Sequence, residues 1–281
     1  MKKDQLITRR RALAVGAAAV GAAGTAGLFA VRAGDQPVRS AAGSAGAAGP
    51  QARRALKPSA YRLQPLTGLG PPKAASRRLL VRREPFLRVS GRGRTMVLTF
   101  DDGPDPRYTP EILDTLWEYD VRAMFFVCGE MVAENLDLVE RMADEGHVVG
   151  NHTWSHPLLT QLTRKQIRSE MERTCKIIEK GSGEWPRWFR APYGAWNRAA
   201  FQLGAELGME PLAWTIDTLD WTEPGSGSII DRVENGAAPG VVVLSHDAGG
   251  DRSQSVRALR DYLPQLLDDG YHITVPRRRR V

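Results

Sequence analysis

From Thr95 onward the chain alternates between two hydrophobic periods. Short apolar runs bounded by turn residues read as buried strands, and segments with apolar residues every three to four positions read as amphipathic helices. The series opens with a strand, TMVLTF (95–100), and a helix, TPEILDTLWEYD (109–120), with Thr109 as N-cap and Pro110 at the first helical position. A strand AMFFVCG (123–129), a helix NLDLVERMADEG (135–146) stopped by Gly146, and a strand HVVGNH (147–152) follow. The next helix, TRKQIRSEMERTCKIIEKG (163–181), aligns Ile167, Met171, Thr174, Cys175 and Ile178 on one face and is expected to close at Gly181. The segment WFRAPYG (188–194), helix NRAAFQLGAELG (197–208), strand PLAWTID (211–217) and helix SIIDRVENG (228–236) come next. Strand VVVLSHD (241–247), helix SQSVRALRDYLPQLLDDG (253–270) and strand HITV (272–275) complete the pattern.

Such alternation over about 180 residues predicts a parallel sheet with crossover helices, either an open doubly wound sheet or a closed β/α barrel. Polar residues collect where the predicted strands end: Asp101-Asp102, His152, Asp217 to Trp221, and His246-Asp247. Those carboxyl ends are the face on which both architectures place their chemistry.

Charge separates this body from what precedes it. The 281 residues carry a net +7, but residues 1–94 hold 19 Lys and Arg against 3 Asp and Glu, and Arg277 to Arg280 add four more positive charges. Residues 95–276 hold 16 basic and 29 acidic residues, so the body is acidic and no nucleic-acid partner is expected. Arg9 and Arg10 precede an Ala/Gly-rich run from Ala12 to Val31, the layout of an export signal, and the order Thr8-Arg9-Arg10-x-x-Leu13 resembles the twin-arginine type. A cut after Ala33 fits; an uncleaved membrane anchor is the alternative. The Ala, Gly, Pro, Ser and Arg composition of 34–94 reads as a disordered basic linker, either touching anionic cell-envelope polymer or lipid or serving as a solvated tether. The expected organisation is a signal over 1–33, a linker over 34–94, a catalytic domain over 95–276 and a basic tail over 277–281, in an exported, extracellular or envelope-associated monomer. Cys128 and Cys175 are too few for a disulfide framework and read as buried small hydrophobes, with a pairing between them as the alternative.

His152 and His156, in NHTWSH, are four apart, so on a helical turn they share one face and can grip one metal ion. Two surface histidines would show the same spacing. It gains weight because the chain has five histidines and three, counting His246, fall at strand ends. His147 and His272 lack such partners and read as structural. Two histidines with one carboxylate leave positions open for water and substrate, as a catalytic metal site requires. The pair in TFDDGP supplies the carboxylate: one Asp coordinates while its neighbour takes a proton from the attacking water. Adjacent acids repel, and metal and arginine charge would lower that cost.

TFDDG, HTWSH, RAPYG, DTLDW and LSH stand in the order of the five motifs of the NodB-like polysaccharide deacetylases, carbohydrate esterase family 4, which the chain resembles from Thr95 to Val275. HDAGGDRSQSV resembles the family's usual continuation after its last motif. The resemblance implies a distorted (β/α) barrel and metal-dependent removal of N-acetyl groups from an aminosugar polymer, peptidoglycan or a chitin-type oligosaccharide. It implies Asp101 as general base, and Asp102, His152 and His156 as ligands of zinc or another divalent ion such as cobalt. Arg190 would pair with Asp101, and Tyr193 would give its backbone N–H to the oxyanion. Asp220 would orient His246, the general acid, and Trp221 and Leu244 would line the acetyl-methyl pocket. The chemistry asks for such a set, because a leaving amine is too basic to depart unprotonated and a buried carboxylate behind an imidazole raises its pKa.

Three rival expectations stand beside this one. The same apparatus could act as an O-acetyl esterase on xylan. The scaffold could bind carbohydrate without catalysis, although a binding module has no need of a base and an acid beside a metal. A metal-dependent phosphoesterase is disfavoured by the single-metal ligand set and the acidic body.

Overall fold

Residues 80–89 and 93–276 are described by the structure, a computed structural model. β1 (Thr95–Asp101) runs through the middle of the sheet and is buried after its first residue. β2 (Met124–Val127) and β7 (Val242–His246) pair with it in parallel on either side. β3 (Val148–Asn151), β4 (Trp188–Phe189) and β5 (Glu210–Pro211) extend the sheet beyond β2, while β6 (Ile216–Asp217) flanks β7. The order is β5-β4-β3-β2-β1-β7-β6, and β8 (His272–Ile273) joins the start of β1.

Strand alternation divides the side chains between two compartments. Met96, Leu98 and Phe100 of β1, with Phe125, Val127 and Val243, meet the helices α1 (Thr109–Glu118), α3 (Leu136–Asp144), α6 (Ser226–Gly236) and α7 (Ser253–Asp268) in the larger core. Val97, Met124, Phe126 and Val242 point the other way and pack with Leu212, Phe86, Trp188 and Trp214. That parity carries Thr99 and Asp101 into the interior, and a slip of one residue would send them among the helices instead. A third cluster joins α4 (Arg164–Ser182) to α5 (Arg198–Glu206) through Ile167, Met171, Cys175, Ala200 and Leu203.

The strand path runs from β5 to β6 without pairing the two, and the sheet curls into a half-barrel, the distorted (β/α) barrel expected rather than an open doubly wound or a fully closed one. Three local expectations need correction. PLAWTID is not one strand: its start pairs with β4 at one sheet edge and its end with β7 at the other, because Leu212 and Ala213 turn their carbonyls to a buried arginine. The folded body reaches further toward the N-terminus than Thr95: the Phe86 N–H donates to the Pro211 carbonyl, the Ala213 N–H to the Phe86 carbonyl, and the Val89 N–H to the Gly240 carbonyl. AMFFVCG ends sooner than expected, and the short helix α2 (Gly129–Glu134) begins at its last residue.

Both cysteines are buried and free, so no pairing forms. The expected signal over 1–33, the tail over 277–281 and most of the linker over 34–94 lie outside the described residues. Among the described residues no helix is long and apolar enough to cross a membrane.

Candidate active site

Asp101 ends β1 and is paired in register with His246, which ends β7, so both side chains leave the sheet on the same face. The next residue, Asp102, has a left-handed backbone (φ 77°), which breaks the strand and turns a second carboxylate toward the same mouth instead of into the helices. That kink is why two adjacent acids meet different partners.

Asp101 faces Arg190, which follows β4 and is fully buried. The guanidinium donates from Nη1 to Asp101 Oδ1 (2.7 Å) and Thr99 Oγ1 (2.8 Å), from Nε to the Leu212 carbonyl (3.1 Å) and from Nη2 to the Ala213 carbonyl (2.9 Å). Its flat face lies over the Phe126 ring, 4.2 Å from the centroid. Burial pulls the pKa of Arg190 down and the Asp101 carboxylate opposes it.

Asp102 faces the two histidines: its Oδ1 lies 3.4 Å from His152 Nε2 and 3.2 Å from His156 Nε2. The pair is not on a helical turn as the spacing suggested. It sits in a loop after β3, with left-handed residues at Thr153 (φ 69°) and His156 (φ 55°). Glu170 of α4 braces this loop by accepting from the N–H groups of Trp154 and Ser155, each at 2.9 Å.

Three features fit this trio to a divalent ion. His152 Nδ1 lies 2.8 Å from the Arg190 carbonyl, which can only accept, so Nδ1 carries a proton and Nε2 is the ring nitrogen left facing Asp102. Asp102 Oδ1 is buried without a hydrogen-bond partner. The ligand atoms of Asp102, His152 and His156 all lie within 4.8 Å of one another. Lone pairs converging in a buried place call for a cation between them.

His246 is held from behind. Its Nδ1–H donates to Asp220 Oδ1 (2.6 Å), while Asp220 Oδ2 accepts from the His246 N–H (2.8 Å) and from Ser255 Oγ (2.7 Å). Burial works to lower the pKa of His246, but the Asp220 bond and the charges of Asp220, Asp102 and Asp101 outweigh it and push it up to about 9. The imidazole is therefore cationic at neutral pH.

Tyr193, in a short turn after Arg190, has a left-handed backbone (φ 61°) and an exposed ring 4.5 Å from that of His156. Leu244 sits two residues before His246 on β7, on the same side, and is buried. Trp221 follows Asp220 in its turn, and 39% of it is exposed. The structure thus gathers Asp101, Asp102, His152, His156, Arg190, Tyr193, Asp220 and His246 at one end of the barrel.

Sequence reasoning gave no role to Thr99, Glu170, Asp247 and Arg252, although Asp247 stands in one of its strand-end clusters and Arg252 in the stretch HDAGGDRSQSV. Asp247 is fully buried, accepting from the Gly103 N–H (3.1 Å) and the Thr109 hydroxyl (2.6 Å). Burial pushes its pKa up to about 7, against the Thr109 bond and with help from the charges of Asp102 and Asp101. Thr109 therefore does not cap α1 with its side chain. Its hydroxyl accepts from the Asp105 N–H and is spent on Asp247.

A half-barrel with a two-histidine, one-carboxylate trio beside a base-like and an acid-like residue defines a hydrolase of the single-metal kind. Comparison with known proteins then places the chain. The family profile described as polysaccharide deacetylase matches residues 88–212. A chitooligosaccharide deacetylase of Rhizobium leguminosarum bv. trifolii is 38% identical over 208 residues, which cover 70% of this chain and 97% of that protein. The crystal structure of the Bc1960 peptidoglycan N-acetylglucosamine deacetylase superposes with a TM-score of 0.65 at 34% identity, over 68% of this chain and 94% of the other. A family pseudoenzyme from Bacillus anthracis shares the fold with a TM-score of 0.63 at 30% identity, over 68% of this chain and 66% of its own. The chain belongs to the NodB-like polysaccharide deacetylases, carbohydrate esterase family 4.

Proposed function

We propose that this polysaccharide deacetylase is a metal-dependent enzyme that releases acetate from the N-acetyl groups of an aminosugar polymer, peptidoglycan or a chitin-type oligosaccharide. The observation that carries the reading is the register pairing of Asp101 with His246: a carboxylate held by a buried arginine and an imidazole held by a buried carboxylate leave the sheet on the same face.

Asp102, His152 and His156 would hold the ion, zinc in this reading, with cobalt as an alternative. Bound there, a divalent cation would polarise the acetyl carbonyl and make water a stronger acid. Asp101 takes the proton from the attacking water, and the bond from Arg190 Nη1 holds that carboxylate aimed until it does. Negative charge on the carbonyl oxygen is met by the backbone N–H of Tyr193, an arrangement worth several kcal/mol where water is excluded. His246, already cationic, gives its proton to the amide nitrogen as the C–N bond breaks, and Asp220 fixes which ring nitrogen faces the substrate. The products are acetate and a free amine on the sugar. Leu244 and Trp221 border the space for the acetyl methyl group. The relatives include both chitooligosaccharide and peptidoglycan deacetylases, and of the two substrates the expected export signal favours the cell-envelope polymer.

Acetate release from chitopentaose, peptidoglycan and acetylxylan, with and without chelator, tests the reading. Release from either N-acetylated substrate, abolished by chelator and restored by zinc, is expected. Release from acetylxylan alone would make the enzyme an O-acetyl esterase. Sugar binding without acetate from any substrate, in zinc-loaded protein, would place it with the family's pseudoenzymes.

A further inference from the structure

The stretch HDAGGDRSQSV contains the general-acid candidate His246, but the mechanism above leaves its arginine unused. Arg252, at the entrance to α7, is only 2% exposed, and among the described residues it forms no salt bridge to a carboxylate. Its guanidinium is spent on backbone carbonyls: Nε donates to Ala248 (2.8 Å), Nη1 to Asp220 (2.9 Å) and Asp251 (3.3 Å), and Nη2 to Gly249 (2.9 Å). A buried cation without a counter-ion is costly, and here that cost is met by donation to backbone carbonyls.

Its contacts divide between the two halves of the site. The Asp220 carbonyl belongs to the residue that holds His246. The Gly249 carbonyl belongs to a residue packed against a metal-ligand candidate: at φ 78°, a Cβ on Gly249 would fall 2.7 Å from Asp102 Oδ2. The backbone carrying Gly249 therefore sets how far that carboxylate can swing, and Arg252 fixes that backbone.

We propose that Arg252 is a positioning residue that locks the His246–Asp220 pair and the Asp102 carboxylate into one geometry through a single buried guanidinium. The planar fork reaches four carbonyls at once, which an ammonium on a flexible stem does not reproduce. This rests on the reading of the site as a deacetylase centre for its kinetic arm, but its two spectroscopic arms do not depend on turnover.

The test compares parent, Arg252→Lys and Ser255→Ala as full-length protein. The Ser255 hydroxyl donates to Asp220 Oδ2, so its removal perturbs the acid half of the site. For Arg252→Lys we expect kcat to fall about 10- to 100-fold with KM nearly unchanged, the scale of a misplaced catalytic group. We also expect an altered visible spectrum and weaker binding of added cobalt(II), and loss of the downfield proton resonance of the His246 Nδ1–H. Ser255→Ala should shift that resonance and leave the cobalt spectrum alone. A folded Arg252→Lys protein with parental cobalt spectrum, cobalt affinity and His246 resonance would overturn the proposal. If it does not fold, Arg252→Gln, which removes the buried charge, is read by the same criteria. Failure of both to fold would assign Arg252 to stability alone and overturn it equally. A parent protein that releases no acetate from any substrate would sink the deacetylase reading while leaving the cobalt and proton signals to decide on Arg252.

Discussion

Asp101 and Asp102 show how one backbone angle gives neighbouring carboxylates separate work. Asp101→Asn should abolish acetate release, a loss of at least about 100-fold in kcat, while zinc affinity measured by calorimetry stays near the parent value. The same change leaves Arg190 buried opposite a neutral amide, so thermal or urea unfolding should show a loss of about 3 kcal/mol. Unchanged turnover would remove Asp101 from the base role. For the acid, a His246 pKa pushed up to about 9 means that activity persists through neutral pH and falls as pH rises through about 9, where the proton is lost. Asp220→Asn should move that alkaline limb to lower pH; a limb that stays in place would mean that another group sets it. The motif residues were legible because their chemistry restricts residue type. Glu170 was not, since a charge in an amphipathic helix reads as a solvated face until its neighbours in space are known, and Arg252, just before α7, shows its carbonyl partners only in the fold.

Helices and strands were legible where period and length agreed, and illegible where one residue served two elements. Gly181 reads as a helix stop but lies inside α4, where a Cβ would meet Leu136 at 2.9 Å; it is there for close packing on α3. The helix instead ends at Gly183, in the left-handed conformation (φ 75°) that a C-terminal stop uses. The start of α4 does carry a local signal, a capping box in which Thr163 accepts from the Gln166 N–H and Gln166 Oε1 accepts from the Thr163 N–H. Thr163→Ala should cost about 1 kcal/mol in chemical unfolding with kcat unchanged. PLAWTID misled because its apolar alternation continues through residues whose carbonyls are committed to Arg190. Phe86, whose backbone brackets that stretch and whose ring stands edge-on to Trp188, braces it from outside. Phe86→Ala should cost about 2 kcal/mol and also lower kcat, because the Leu212 and Ala213 carbonyls that orient Arg190 lose their support. A stability loss with full activity would show that the bracing does not reach the site.

For the molecule as a whole, the buried charges at the barrel mouth tie stability to pH and to metal. The raised pKa of His246 gives a contribution that is complete below its ordinary value of about 6.5 and is lost as pH rises through about 9. In chelated protein Asp247 behaves the same way lower down: its contribution is complete below about 3.8 and is lost as pH rises through about 7. Thermal melts of chelated protein should therefore already be falling as pH rises through about 7 and should go on falling through about 9, and Asp220→Asn should flatten the upper part of that fall. Zinc at about 100 times its dissociation constant should add about 2.7 kcal/mol. An unshifted melting temperature would mean that the three ligands do not act together on an ion.

Among the described residues, seven that are not glycine have positive φ, and six of them, Asp102, Thr153, His156, Tyr193, Leu219 and Glu223, lie in or beside the site. Each such conformation costs on the order of 1 kcal/mol that glycine would avoid. Heat-resistance breeding without an acetate assay would thus drift toward glycine at these six places, and its hardiest survivors would be sterile ones.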